Sequence, residues 1–460
     1  MISSFLRRRR HSLPSAVRRT LHTLAPLTTA SDFHGPSFSL PTLLSSSTCL
    51  RDLSRFHAHL LRIHFLFTFP YAVHYNNLIR AYTRLEAPGR GLSVFILMSR
   101  NDVRPDCYTV PIVVKAAGQR LEFALGWQVH GIAIKLGLEQ NEFCESGFIS
   151  LYCKAGQIEE ARKVFDENPE RKIGSWNAIL SGLAQGGRAK EAISMFLEMK
   201  RLGFIPDDVS MVSITSACGA LGELKLALQL HKCVYQAAKG GEGKSGVLML
   251  NSMIDMYGKC GRMDLANKVF LRMQRTRNVS SWTSMIVGYG CNGLVRQALD
   301  SFSEMLRAGV VPNHVTFVGV LTACVHGGLV QEGRHYFGMM KRVYGIAPNQ
   351  QHYGCLIDLL GRAGLFEDTR EVIETMPMKP NSVIFGCLMG ACEKFGNVLM
   401  AEWVAKHLIE LEPWNDGVYV VLSNIYATRG LWGEVDRIRV VMKERELAKV
   451  PGYSLASCLD

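Results

Sequence analysis

Residues Val279 to Asn313 carry a pattern that the chain writes again and again at one spacing, and this repetition limits the possible folds more than any other feature. Trp282, Met285, Ile286 and Tyr289 fall at i, i+3, i+4 and i+7, which places four large apolar side chains on one face of a helix. Asn292 and Gly293 interrupt the pattern. A second periodic run, Ala298, Phe302 and Met305, then stops at Gly309 and Pro312. The spacing predicts a helical hairpin of 35 residues. Neither helix can bury its apolar face within so small a unit, so the hairpin needs neighbours of its own kind.

The same landmarks stand in Ile173 to Asp207, as Trp176, Ile179, Leu180, Leu183, Ala192, Phe196, Met199, Gly203 and Pro206. Ala72 to Asp106 repeats them with Tyr75, Leu78, Ile79, Tyr82, Phe95, Met98 and Pro105, although Gly91 and Asp102 replace the usual Ala and Gly. Two other kinds of unit follow each copy in fixed order. Cys107 to Asn141 precedes the shorter Glu142 to Lys172; Asp208 to Gly246 precedes Val247 to Asn278; His314 to Asn349 precedes Gln350 to Asn381. The super-period is therefore a triplet. Lys239 to Gly246 holds a short Gly-rich insertion that is expected to bulge as a loop.

The chain has 460 residues and 48% hydrophobic content, enough for several domains or one long array, and the repeats decide for the array. A net charge of +12 and a pI near 9.1 suit a polyanionic partner without proving one. None of the 13 cysteines forms a CxxC pair, which argues against a zinc site. Cys218, Cys324 and Cys392 instead share the eleventh position of their units, where Tyr82, Leu183 and Tyr289 stand in the 35-residue copies. They are expected to pack as small residues of a reduced protein.

Residues 1–31 contain Arg7, Arg8, Arg9, Arg10, Arg18 and Arg19 and no acidic residue, interleaved with Phe5, Leu6, Leu13, Val17 and Leu21. That composition predicts an organellar transit peptide, mitochondrial rather than chloroplast from its Arg content. A basic arm that touches nucleic acid directly is the alternative. Residues 38–71 form a degenerate helical pair in which His57 holds the place of His130, and they are expected to cap the array. Phe65 to Val73 is too short to span a membrane, so no membrane partner is expected.

Triplets of this kind, with SWNAIL, SWTSMI, MYGKCG and LLGRAG signatures, resemble the PLS class of plant pentatricopeptide repeat proteins. The resemblance covers about residues 38–449. It implies an all-α fold, a right-handed superhelical α-solenoid of helix-turn-helix repeats, with nine repeats in P-L-S order over 72–381. Residues 382–449 resemble the two E motifs that follow the repeats in this family, which are tetratricopeptide-like and assigned to protein contacts; 450–460 form a short tail. Longer relatives carry a DYW-type cytidine deaminase domain with an HxE and CxxC zinc set. Neither motif occurs in this sequence, so no catalytic residue, metal or cofactor is expected, and the chain reads as a non-enzyme that recruits a deaminase in trans.

In the family, the fifth residue of the first helix and the last residue of a repeat meet one base of single-stranded RNA. An Asn amide both donates and accepts, so its orientation can match a base edge. Carried over by position, Asn76 with Asp106 and Asn177 with Asp207 resemble the uridine pair, Asn251 with Asn278 a pyrimidine pair favouring cytidine, and Thr283 with Asn313 the adenosine pair. Ser146 with Lys172 departs from the pattern. Pro111 with Asn141, Val212 with Gly246, Val318 with Asn349 and Gly354 with Asn381 are expected to discriminate weakly. The second position, which wedges between bases, keeps bulk at Val73, Tyr108, Phe143, Val209, Leu248 and Val315 but not at Gly174, Ser280 and Gln351.

The resemblance implies site recognition for organellar C-to-U RNA editing. The alternatives are a non-editing RNA factor in splicing, stabilisation or translation, and a protein-binding helical scaffold.

Overall fold

The computed structural model describes residues 49–240 and 246–445, without the side chains of 234–240. The leader at 1–31, the first residues of the capping pair and the tail at 450–460 lie outside the described residues. Every regular element among them is helical, with 24 α-helices, α1 to α24 in chain order, and one short 3-10 turn. None is long and apolar enough to cross a membrane.

The helices fall into two compact units divided after Leu221. In the first, α1 (Leu50–Arg62) and the single-turn α2 (Phe65–Thr68) precede four helical hairpins. These are α3 (Ala72–Arg84) with α4 (Pro88–Arg100), α5 (Thr109–Arg120) with α6 (Phe123–Lys135), α7 (Glu142–Lys154) with α8 (Ile158–Glu167), and α9 (Ile173–Gln185) with α10 (Ala189–Arg201). Helix α11 (Asp208–Leu221) ends the unit.

The second unit begins with α12 (Leu224–Gly240). Six hairpins follow: α13 (Val247–Lys259) with α14 (Met263–Met273), α15 (Val279–Cys291) with α16 (Val295–Arg307), α17 (His314–Gly327) with α18 (Val330–Arg342), α19 (Gln350–Arg362) with α20 (Phe366–Thr375), α21 (Ser382–Phe395) with α22 (Val398–Leu411), and α23 (Asp416–Thr428) with α24 (Trp432–Glu444). Lys239 and Gly240, expected in a loop, instead prolong α12, and residues 241–245 of that expected loop lie outside the described residues.

Within each unit the first helices of consecutive hairpins pack directly on one another, as α7 on α9 and α15 on α17 do. The second helices cover them, so the fold is a layered α-solenoid. The opening motif shows why. Trp282, Met285 and Ile286 are buried, Tyr289 half-buried, and Ala298, Phe302 and Met305 buried opposite them; fully burying one such side chain is worth roughly 1.5–3 kcal/mol. Gly293 and Gly309, which end the two helices, have φ of +70°, a left-handed conformation that glycine adopts without strain. Gly290 serves close approach instead: a Cβ there would stand 2.8 Å from the Gly319 carbonyl oxygen of the next first helix.

Two contacts recur with the triplet. His130 Nδ1 meets the Tyr152 hydroxyl at 2.9 Å, and His231 Nδ1 meets Tyr257 at 2.6 Å, each where a variable unit abuts a short one. His57 and Tyr82 form the same pair at 3.0 Å beside α3. Where a short unit meets a 35-residue one, Arg171 lies over the Phe165 ring and Phe165 packs edge-on to Trp176; Arg277, Phe270 and Trp282 repeat the arrangement. Cys218, Cys324 and Cys392 are fully buried, and burial pushes the thiols of Cys324 and Cys392 up to about 12. They are inert packing residues.

Candidate nucleic-acid interface

The last residue of a unit stands just ahead of the next first helix, so its side chain reaches both the helix start and the fifth residue behind it. Asp106 shows both uses. Its Oδ1 accepts from the backbone N–H groups of Tyr108 and Thr109 at 3.0 and 2.7 Å, and from Asn76 Nδ2 at 3.0 Å. Burial alone would raise its pKa, but the bonds from Thr109, Asn76 and Tyr108 outweigh that and hold the carboxyl below its ordinary value. Asp207 does the same for Ser210 N at 2.8 Å and Asn177 Nδ2 at 2.9 Å, and is held low against burial by Ser210, Asn177 and Val209. Asn278 closes the third pair, with Asn251 Nδ2 donating to its Oδ1 at 3.2 Å.

The sequence reading missed a third member. The third residue of the following unit is Thr109, Ser210, Ser281 and Thr316 after Asn76–Asp106, Asn177–Asp207, Asn251–Asn278 and Thr283–Asn313 in turn. Its hydroxyl completes a capping box with the last residue, as in Asn278–Ser281 and Asn313–Thr316. It also reaches the fifth residue. Ser210 Oγ donates to Asn177 Oδ1 at 2.5 Å and Ser281 Oγ to Asn251 Oδ1 at 2.7 Å. In the first pair Thr109 Oγ1 turns to Asp106 instead, at 2.8 Å, and Asn76 Oδ1 is buried with no protein partner. A hydroxyl three residues into a helix, after Asp or Asn, was the available signal.

Thr283 and Asn313 do not touch each other; Thr316 joins them. Asn313 Oδ1 has no proton, so the Thr316 hydroxyl donates to it at 3.0 Å and accepts from Thr283 at 2.7 Å. Thr283 is thereby left with lone pairs only, while the Asn313 amide keeps its N–H groups.

Ser146 and Lys172 are not brought together. Ser146 Oγ donates to the Phe143 carbonyl at 3.3 Å, and Lys172 precedes α9 without a side-chain cap. Asn141, Asn349 and Asn381 cap α7, α19 and α21. Their fifth-position partners, Pro111, Val318 and Gly354, have no side-chain polar group to meet them, and Val212 with Gly246 has none at either place.

The second-position side chains all face outward. Val73, Tyr108, Phe143, Val209, Leu248 and Val315 are 39–62% exposed although apolar, while residues on the packed face of the same helices are buried. Gly174 is half-buried, and Ser280 and Gln351 are exposed. Among the described residues no group of three or more His, Cys, Asp or Glu is placed to hold a metal.

Hairpins stacked in register, with a polar pair carried at one end of four of the first helices, define the chain as an α-solenoid repeat protein. Pentatricopeptide repeat models match residues 73–103, 146–167, 171–220, 248–277, 277–326 and 352–379, and an E motif model matches 395–456. The mitochondrial pentatricopeptide repeat-containing protein At1g77170 of Arabidopsis thaliana is 57% identical over 91% of this chain and 89% of its own length. At2g03880, also mitochondrial and from Arabidopsis thaliana, is 37% identical over 83% of this chain, which spans only 59% of that relative. The chain belongs to the pentatricopeptide repeat family and carries its E motif. The maize protein PPR10 shares the fold, with a TM-score of 0.58 at 18% identity over 93% of this chain and 67% of PPR10. PPR10 in complex with an 18-nt psaJ RNA element gives 0.55 at 17% identity over 88% and 64%.

Proposed function

We propose that the chain binds single-stranded organellar RNA in a sequence-specific manner and acts as a PLS-class site-recognition factor for C-to-U editing. The observation that carries the reading is the recurrence of one hydrogen-bonded pair, fifth residue to last residue, at Asn76–Asp106, Asn177–Asp207 and Asn251–Asn278. Helix capping alone accounts for the last residue of each pair. It does not account for a polar partner at the fifth.

The pinned groups match base edges. Asn177 has its carbonyl fixed by Ser210 and one N–H on Asp207, so it keeps one donor and one acceptor, the complement of uracil O4 and N3–H. Asn251 is held likewise, but Asn278 turns its Nδ2 outward where Asp207 offers an acceptor, which favours the acceptor-rich edge of cytosine. Thr283 offers lone pairs and Asn313 a donor, the complement of adenine N6–H and N1. Read from the N-terminus, the target is 5′-U-N-N-U-N-Y-A-N-N, followed by a three-nucleotide spacer and the edited C.

The recurring His–Tyr and Arg–Phe–Trp junctions support the P-L-S order, with 72–381 as repeats and 382–449 as the E-type region. The E motif supports recruitment of a DYW-type deaminase or other editing factors. The mitochondrial relatives and the basic leader at 1–31 support mitochondrial import. Selection from a randomised RNA pool by gel shift is expected to enrich U, U and A at the stated spacings, and a pool without them sinks the assignment. Transcript sequencing in a plant lacking the protein is expected to show a cytidine left unedited behind that motif.

A further inference from the structure

The E-type region contains a cavity of about 420 Å³ between α21 and α23. It lies in register with the base sites. Counting from the first residue of each hairpin, its wall includes the second position (Val383), the fifth (Gly386), the last (Asn415) and the second position of the next hairpin (Gly417). Val383 is exposed in the manner of the other second-position side chains, and a Cβ on Gly386 would meet nothing within 4 Å. The room is within the range of small aromatic ligands, and buried Met389, Leu408 and Val418 supply its apolar surface.

The polar group of this site is not the fifth residue. Asn415 is held at both ends, its Oδ1 accepting from Gly417 N at 3.0 Å and one N–H of its Nδ2 donating to Glu412 Oε2 at 2.8 Å, which leaves its second N–H. Glu412 beside it supplies the acceptors of the site. Bonds from Ser382 and Asn415 keep its carboxyl below the ordinary range, and a carboxylate has about four acceptor sites, so two more donors can be taken.

We propose that this cavity is a tenth base site, for guanine. The inference rests on the proposed RNA reading and places the guanine at the first spacer nucleotide, next to the base facing Gln350 to Asn381. Guanine alone offers two adjacent N–H groups, N1–H and N2–H, on its pairing edge, the match for a carboxylate accepting two bonds. Its ring stacks on Val383, and the missing side chains at Gly386 and Gly417 leave space for a purine.

The test uses the full chain and four labelled RNAs that carry U-N-N-U-N-Y-A-N-N followed by G, A, C or U, with the nine-nucleotide RNA as control. Anisotropy titration at one salt concentration is expected to give about tenfold tighter binding for G than for C or U. Gly386→Leu fills the cavity and is expected to remove that preference while leaving affinity for the nine-nucleotide RNA unchanged. Glu412→Gln, which keeps the Asn415 bond, is expected to lower it several-fold. Equal affinity for the four RNAs, or a G preference that survives both variants, overturns the tenth site. Failure to bind even the nine-nucleotide RNA overturns the RNA reading and this inference with it.

Discussion

The Ser210 hydroxyl donates to Asn177 Oδ1 at 2.5 Å across the boundary between consecutive units. The same hydroxyl reaches Asp207 Oδ1 at 2.9 Å, so one buried serine links the helix cap to the fifth residue of the unit before it. Asp207 only accepts, so it holds the Nδ2 end of the Asn177 amide toward itself, and Ser210 fixes the Oδ1 end.

Ser210→Ala is therefore expected to lower discrimination for U at the Asn177 site by several-fold, while preference at the Thr283 site stays as it was. The lost hydrogen bond also removes about 0.5–1.5 kcal/mol of stability. Competition binding with RNAs varied at one position at a time separates the two effects. A uniform loss of affinity across all positions would make Ser210 a stability residue alone.

The array was legible because its signal is periodic. Trp176 and Trp282 fixed the register of two units, and the helix starts follow from Asp207, Asn278 and Asn313 as caps. The pairs Asn177–Asp207 and Asn251–Asn278 were legible for the same reason, as polar residues at fixed offsets. The Thr316 bridge was not, because a Thr near a helix start reads as an ordinary capping residue, and its contact with Thr283 is 33 residues distant in sequence. Lys239 and Gly240 misled in the other direction. Gly-rich composition marked a loop, but the helical run ahead of them carries α12 through to Gly240.

Thr283→Asn is expected to move preference at one position from A toward a pyrimidine, since an Asn there can take up the arrangement Asn251 has with Asn278 and Ser281. Thr283→Val keeps the volume but removes the lone pairs, and is expected to cost on the order of 1–3 kcal/mol of A preference without creating another. Both variants are read by affinity for four RNAs that differ at the single A. An unchanged preference in Thr283→Asn would take this unit out of the readout.

Ser280 stands at the second position of the same unit, where Val209 and Val315 stand in others, and it is exposed. Ser280→Val is expected to tighten RNA binding for every base at that site alike, by up to roughly 1 kcal/mol, because contact with a base face is sequence-tolerant. The gain is measured as a parallel shift of all titrations. A shift confined to one base would mean that position 280 reads an edge and not a face.

The three His–Tyr contacts make stability depend on pH in a window that His59 and His352, also lowered by burial, share. Burial lowers the pKa of His57, His130 and His231 from 6.5, with Arg272 adding to the effect at His231 and Glu167 and Glu139 opposing it at His130. A base whose folded pKa is depressed binds protons more readily when unfolded, so its contribution is complete above the unfolded pKa and is lost as pH falls through the folded one. Thermal midpoints are therefore expected to decline as pH drops below about 6.5. The lowered carboxyls of Asp106 and Asp207 add a second decline below 3.8, as each loses its bonds on protonation. Glu145 works the other way, since burial raises its pKa and folding takes up a proton there above 4.5. A variant carrying His57→Gln, His130→Gln and His231→Gln removes their share of the first term and leaves that of His59 and His352. It is expected to show a smaller decline just below pH 6.5 and keep the one below 3.8, and a triple variant with the unchanged profile would assign the upper window to the other histidines.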